Sequence, residues 1–497
     1  MLKSLKEEAN MTLTENGAST YITTDSDCLD LFSTIGGLRM ESETKIIQRF
    51  IRAYTEDRDL AMKTLFFARD IRGGLGERRV FRIILNWLAK NEPQSVRKNL
   101  KHVAEYGRFD DLLCLIDTEC EKDMVDLIRS QLNADLDALR NGGEVSLLGK
   151  WLPSINATNG ETIYLAKRMA GNLGMSYSGY RKTLSALRAH IKIIENNLRE
   201  RDYTFDYSKI PSKALMKYRK AFIENDSKRY DEFNAKALSG EVTLHADTLA
   251  PYELVEPYLD ADHWYDNGFC SMRTLSVEEK NALNATWASL PHYGNDENAL
   301  AIIDTSGSMY NKIKPLPAAV ALSLGLYFAE HNTGAYKNCF IEFSNEPELI
   351  EIKGNTFADK LRYVSSFNKI ANTNLMAVFD LILNTAIKHN LPASELPKKL
   401  IIISDMQFDR CVLGANPTNF ENAKESFNAN GYELPEIIFW NVAIRGYNQP
   451  VTKDENGVAL ISGCTPQIFE MIAGKIINPY QTMLDILGSE RYAVIAA

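Results

Sequence analysis

The sequence predicts two structural units in one chain: an α-helical array over residues 1–290 and an α/β domain with a mostly parallel sheet over 291–497. Three observations carry this. Apolar side chains before residue 290 recur at helical spacing, with few alternating β patterns among them. After about Asn295, short apolar runs alternate with amphipathic stretches, the order expected of strands covered by helices. The chain is also long enough for two cores, with 497 residues, 45% hydrophobic and 24% charged.

In the first unit, Val80, Ile83, Ile84, Trp87 and Leu88 share one face of a helix over 77–90. Ile46, Ile47, Phe50, Ile51 and Tyr54 repeat the pattern, as do Leu184, Leu187, Ile191, Ile194 and Leu198 in one helix through the 180s and 190s. Breaks rich in glycine and asparagine separate these segments, as in stacked helical hairpins of unequal length. In the second unit, strands are expected at Ala299–Ile303, 339–343, 400–404, 436–442 and Val458–Ser462, and helices at Pro317–His331, Leu375–His389, 419–430 and 467–474. Ligands of such sheets bind beyond the carboxyl ends of the strands, so the residues after each apolar run carry the interest.

Seven scattered cysteines without a CxxC pair suggest neither a zinc site nor a disulfide framework. The first residues carry acids too early for a secretory signal, and no apolar run reaches the ~18–20 residues that span a bilayer. The expectation is a monomeric cytoplasmic protein with no membrane partner.

The run Asp304-Thr-Ser306-Gly-Ser308 ends one predicted strand, Asp405 ends another, and Thr373 precedes a helix between them. Taken alone, an Asp-x-Ser-x-Ser run also serves as an N-capping cluster. Together, Asp304, Ser306, Ser308, Thr373 and Asp405 form an all-oxygen set of two carboxylates and three hydroxyls, suited to Mg²⁺, Mn²⁺ or Ca²⁺. Hydroxyl ligands leave such an ion short of negative charge and supply no strong base, which favours adhesion over catalysis.

The formal charge of −9 hides a segregated distribution. Residues 161–220 hold thirteen Lys and Arg against five Asp and Glu, a net +8, and residues 241–290 carry −7. On a single helix through 181–199, at about 100° per residue, Arg181, Arg188, Lys192 and Arg199 lie within roughly 40° of arc, clear of the apolar face. Lys213, Lys217 and Lys220 repeat the spacing on the next helix, with Tyr177, Tyr180 and Tyr218 nearby for base stacking. Such a stripe is either a solvated helix face or an RNA-binding tract. A second basic cluster, with Arg72, Arg78 and Arg79, surrounds Gly73, Gly74 and Gly76, whose backbone N–H groups could meet phosphate. It lacks the Lys-Ser/Thr of a nucleotide P-loop.

The Asp304–Ser308, Thr373 and Asp405 combination resembles a von Willebrand factor A domain with its metal-ion-dependent adhesion site. By that resemblance Ser306, Ser308 and Thr373 would contact the ion directly, with Asp304 and Asp405 acting partly through water. Ala371 and Asn372 stand where many members have glycines. A HEAT-like helical array followed by such a domain is the architecture of the Ro autoantigen (TROVE) ring proteins. Local phrases are similar to a sister family catalogued as a domain of unknown function: Thr14-Glu-Asn-Gly-Ala, Asp70-Ile-Arg-Gly-Gly-Leu-Gly-Glu-Arg78, Tyr106-Gly-Arg-Phe-Asp-Asp111, Lys150-Trp-Leu-Pro-Ser154, Pro211-Ser-Lys213, Ser404-Asp-Met-Gln-Phe408 and Phe439-Trp-Asn441. The resemblance implies a ring-shaped, non-catalytic ribonucleoprotein component that takes single-stranded ends or structured small RNAs. The alternative is a metal-dependent adaptor whose adhesion site captures an acidic residue of a protein partner.

Overall fold

From Asp27 to Ala288 the described chain is mainly helices joined by turns, and from Ala299 it lays down a six-stranded sheet. The computed structural model describes residues 1, 5, 9–260, 271–293, 298–311, 313–343, 346–366, 373–409, 418–472, 474 and 476–497. Ala371 and Asn372 lie outside them.

Among the described residues, four short strands precede the main sheet. β1 (Met11–Leu13) and β2 (Ser19–Tyr21) form a hairpin, and β3 (Leu259–Asp260) pairs with β4 (Ser271–Met272). The main sheet holds β5 (Ala299–Ile303), β6 (Cys339–Glu342), β7 (Glu348–Glu351), β8 (Lys399–Ser404), β9 (Glu436–Asn441) and β10 (Val458–Ser462), in the order β10-β9-β8-β5-β6-β7. All neighbours are parallel except the β6–β7 edge pair. This is the architecture the sequence predicts, with β7 as an addition. Glu348 and Glu351 flank its two apolar residues, and only Ile350 is buried, as suits an edge strand.

The strands are apolar on both faces because both are covered. Ala301, Ile303, Ile401, Ile403, Ile438, Trp440, Ala459 and Ile461 join a core continuous with the helical region. Leu300, Ile302, Leu400, Ile402, Ile437, Phe439, Val458 and Leu460 face a second core, which also takes Phe379 and Leu383 from helix Leu375–His389 and Phe427 from helix Asn419–Ala429.

The helical region is anchored to the α/β unit at both of its ends. At the start, Gly36 N–H donates to Ser462 Oγ at 3.0 Å, so close that a Cβ on Gly36 would sit 2.6 Å from the Gly463 nitrogen. At the far end, Trp287 stacks on Phe357 with ring centroids 3.7 Å apart, and Asn284 Oδ1 accepts from Ala358 N–H at 2.9 Å. The chain's own extremities cross over as well. The β1–β2 hairpin lies on the α/β unit, while Arg491 pairs with Asp70 and Tyr492 packs between Phe67 and Tyr106 in the helical region. The Thr14–Ala18 and Asp70–Arg78 phrases are therefore junctions between the units.

One expectation needs correcting. The predicted helix through the 180s and 190s is two helices, Tyr177–Ile191 and Ile194–Glu200, broken at Lys192 with φ 54°. A left-handed residue ends the first helix and redirects the second, so the angles that aligned four bases do not extend past it.

Candidate metal centre and basic tract

β5 and β8 are neighbours, so the residues after them meet at one sheet edge. The Asp304 N–H continues the ladder to Ile403 O at 3.0 Å. Its carboxylate then organises the turn: Oδ1 accepts from Ser306 N–H at 2.9 Å and Oδ2 from the Ser404 hydroxyl. Ser306 Oγ and Ser308 Oγ stand 2.9 Å apart. Asp405 Oδ1 accepts from Gln407 N–H at 3.2 Å. Its Oδ2 is buried without a hydrogen-bond partner among the described residues, the Arg445 guanidinium being 4.0 Å away.

Both carboxylates are buried, and both are held above the usual range. Burial raises Asp304, with the Asp409 charge adding to the effect. Burial and then the Asp304 charge push Asp405 up to about 7, against the opposing pull of the Ser308 hydroxyl, the Gln407 N–H and Arg445. Two adjacent carboxylates that repel each other, one with an unpartnered buried oxygen, beside two paired hydroxyls, form a set that a hard divalent cation would satisfy. No cluster of three His, Cys, Asp or Glu occurs among the described residues.

Thr373 joins more loosely. It is buried, and its carbonyl accepts from Asp409 N–H at 2.9 Å. Asp409, whose carboxyl burial raises, is electrostatically felt at Asp304. Sequence reasoning missed Asp409, although it lies four residues past Asp405 on the same strand exit. It also missed the cover supplied by the first hairpin. Thr14 Oγ1 donates to Phe408 O at 2.6 Å, Asn16 Nδ2 to Gln407 O at 2.7 Å, and Glu15 forms an ion pair with Arg445 at 3.1 Å.

The basic residues behave differently. Arg181, Lys192, Arg199, Lys213, Lys217 and Lys220 are exposed. Arg199 pairs with Glu200 at 2.9 Å, Lys213 with Glu253 at 3.2 Å and Lys220 with Glu224 at 3.8 Å, while Lys217 lies over the Tyr218 ring. Exposed pairs of this kind are weak and exchangeable. Arg188 has a structural task. It donates to Gly149 O at 2.8 Å, Leu152 O at 2.8 Å and Ser154 Oγ at 2.6 Å, and burial lowers its pKa. Its guanidinium secures the 149–154 turn and is not displayed to a ligand, so it leaves the predicted RNA set. In the glycine-flanked cluster, Arg72 bonds Glu105 O and Arg79 bonds the Arg39 and Glu41 carbonyls, while Arg78 pairs with Asp110 at 2.5 Å. Tyr180 is buried and bonded to Pro153 O, so it supplies no stacking face, whereas Tyr177 is exposed.

Two families, each described only as a domain of unknown function, match the chain: DUF2828 over residues 14–127 and 170–292, and DUF7788 over 298–479. The boundary between the two matches falls where helices give way to the sheet. The chain is 28% identical to uncharacterized protein L728 of Acanthamoeba polyphaga mimivirus, covering 96% of this chain and 87% of the viral protein. Among solved structures it is similar to the Ro (RSR) protein of Deinococcus radiodurans, at 12% identity and a TM-score of 0.47, covering 94% of this chain and all of that one. No described helix is long and apolar enough to cross a membrane.

Proposed function

We infer that the protein is a non-catalytic RNA-binding protein that holds RNA on its helical region and a divalent cation, Mg²⁺ or a similar hard ion, at the exit of β5 and β8. The observation that carries the RNA reading is charge placement. In a chain of net −9, Arg181, Lys192, Arg199, Lys213, Lys217 and Lys220 stand exposed on three successive α-helices and, for Lys192, on the turn between the first two. Cations gathered in a tract of an otherwise acidic surface concentrate a polyanion there. Asp304, Ser306, Ser308, Thr373 and Asp405 would hold the cation, which would supply an electrophilic centre for an outside oxygen. Among the described residues no histidine or lysine is hydrogen-bonded or ion-paired to these side chains, which supports binding over hydrolysis.

A second reading follows from the hydroxyl ligands, which would leave the ion short of negative charge: the ion captures a carboxylate of a protein partner. Sequencing the RNA that co-purifies with the protein tests the first. Enrichment of defined RNAs, lost on Lys213→Glu/Lys217→Glu/Lys220→Glu substitution, is the expected result. A partner complex that dissolves in EDTA while no RNA co-purifies would favour the adaptor reading instead.

A further inference from the structure

Beside the basic tract lies a second concentration of positive charge that is built into the fold. Arg69, Arg78, Arg82 and Arg108 crowd around Asp110 and Asp111, four guanidiniums against two carboxylates. Arg69 is fully buried and bonds Asp111 at 2.7–2.8 Å. Arg82 reaches Asp111 at 2.6 Å and Asp110 at 3.0 Å, and Arg78 reaches Asp110 at 2.5 Å. Arg108 comes no closer than 3.9 Å to Asp110 and instead lies over the Trp151 ring, 4.3 Å from its centroid. Lys150 approaches the same ring at 5.4 Å.

The arrangement carries two surplus positive charges, and three of its arginines reach solvent, with side-chain exposures of 43% for Arg78, 28% for Arg82 and 29% for Arg108. Burial lowers the pKa of both Arg78 and Arg108, and neighbouring guanidiniums push the same way. An anion entering between them would relieve that crowding. Trp151, partly exposed, lies beside it with the Arg108 guanidinium over its ring, on the turn that Arg188 pins through Gly149, Leu152 and Ser154.

We propose that Arg78, Arg82, Arg108 and Trp151 form a site for one nucleotide unit of single-stranded RNA, with the phosphate on the guanidiniums and the base against the indole. Guanidiniums match phosphate oxygens in fork geometry. An aromatic face beside a cationic groove is the pairing that single-stranded nucleic acid uses, and an acidic peptide would leave the ring without a stacking partner. The site rests on the RNA reading above, and lies on a different turn from the Lys213–Lys220 helix.

The test is fluorescence anisotropy of the full-length protein with a labelled, 5′-phosphorylated decauridylate. Trp151→Leu and the double variant Arg78→Gln/Arg108→Gln should each weaken binding about fivefold or more, the effect of losing one stacked base, and Trp151→Phe should stay within about twofold of wild type. Thermal denaturation confirms folding, and the Phe–Leu contrast at Trp151 holds the test open if the arginine variant is unstable. Equal affinity for wild type and Trp151→Leu overturns the site, as does competition by polyglutamate matching that by unlabelled decauridylate. If wild type fails to bind the probe, the RNA reading itself fails. Inorganic phosphate then decides whether an anion site remains: quenching of indole fluorescence in wild type but not in Trp151→Phe would retain it, and no quenching would remove it.

Discussion

The sheet edge and the basic tract place their residues in opposite ways. At the sheet edge, Asp304 and Asp405 come from strands 100 residues apart and end up buried together, with Ser404 bonded to Asp304. In the tract, Arg181 to Lys220 are close in sequence, yet they scatter over three helices and two left-handed turn residues, Lys192 and Arg201. Parallel strands bring their ends to one line whatever lies between them. A helix delivers side chains to one face only until it breaks. The first site is therefore fixed by topology and desolvated, and the second is a diffuse surface field.

The contrast can be broken most severely through a charge that is buried and paired. Removing Asp111 leaves the buried Arg69 guanidinium uncompensated, and Asp111→Ala should cost about 3–5 kcal/mol in urea denaturation. If that variant were as stable as one in the exposed tract, the division into buried and displayed charge would fail. Arg188→Ala comes next, at about 1.5–3 kcal/mol for charge-assisted bonds lost to the 149–154 turn, whereas Arg181→Ala should stay within about 0.5 kcal/mol. Equal costs at the two positions would return Arg188 to the displayed set.

The metal edge offers a cleaner signature, in two opposite directions. Mg²⁺ at 100 times its dissociation constant should stabilise wild type by about 2.7 kcal/mol, read as a shift in melting temperature. Asp405→Asn removes a buried carboxylate that Asp304 repels, so the metal-free variant should melt higher than metal-free wild type and lose the Mg²⁺ response. A variant that melts lower without metal would show that the pair is not strained. A further effect is at the junction. Gly36→Ala places a Cβ 2.6 Å from the Gly463 nitrogen, and its expected cost of about 1–3 kcal/mol, an overpacking effect, checks the docking of the helical region on β10.

Much of the β5–β8 edge was legible because its signal is local: an apolar strand, then Asp-x-Ser-x-Ser, then a second strand ending in Asp405. What escaped was long-range. Thr14, Glu15 and Asn16 reach the Gln407–Asp409 loop across nearly 400 residues, and no spacing rule links them. The role of Arg188 escaped because a helix face tells nothing about which carbonyls lie across from it. Lys192 escaped because positive φ is announced by glycine or asparagine and not by lysine. The helices Phe357–Ser365 and Pro479–Leu487 were passed over because they are short amphipathic stretches beside stronger patterns.

The claim that RNA is held by displayed charge is tested most directly by the salt dependence of its affinity. Binding of a single-stranded RNA, followed by anisotropy from 50 to 300 mM salt, should give a log–log line whose slope shrinks by about 0.7 for each phosphate contact removed. Lys213→Glu/Lys217→Glu/Lys220→Glu should therefore flatten the line and weaken binding at every salt concentration, with folding intact. A slope and affinity equal to those of wild type would contradict the account.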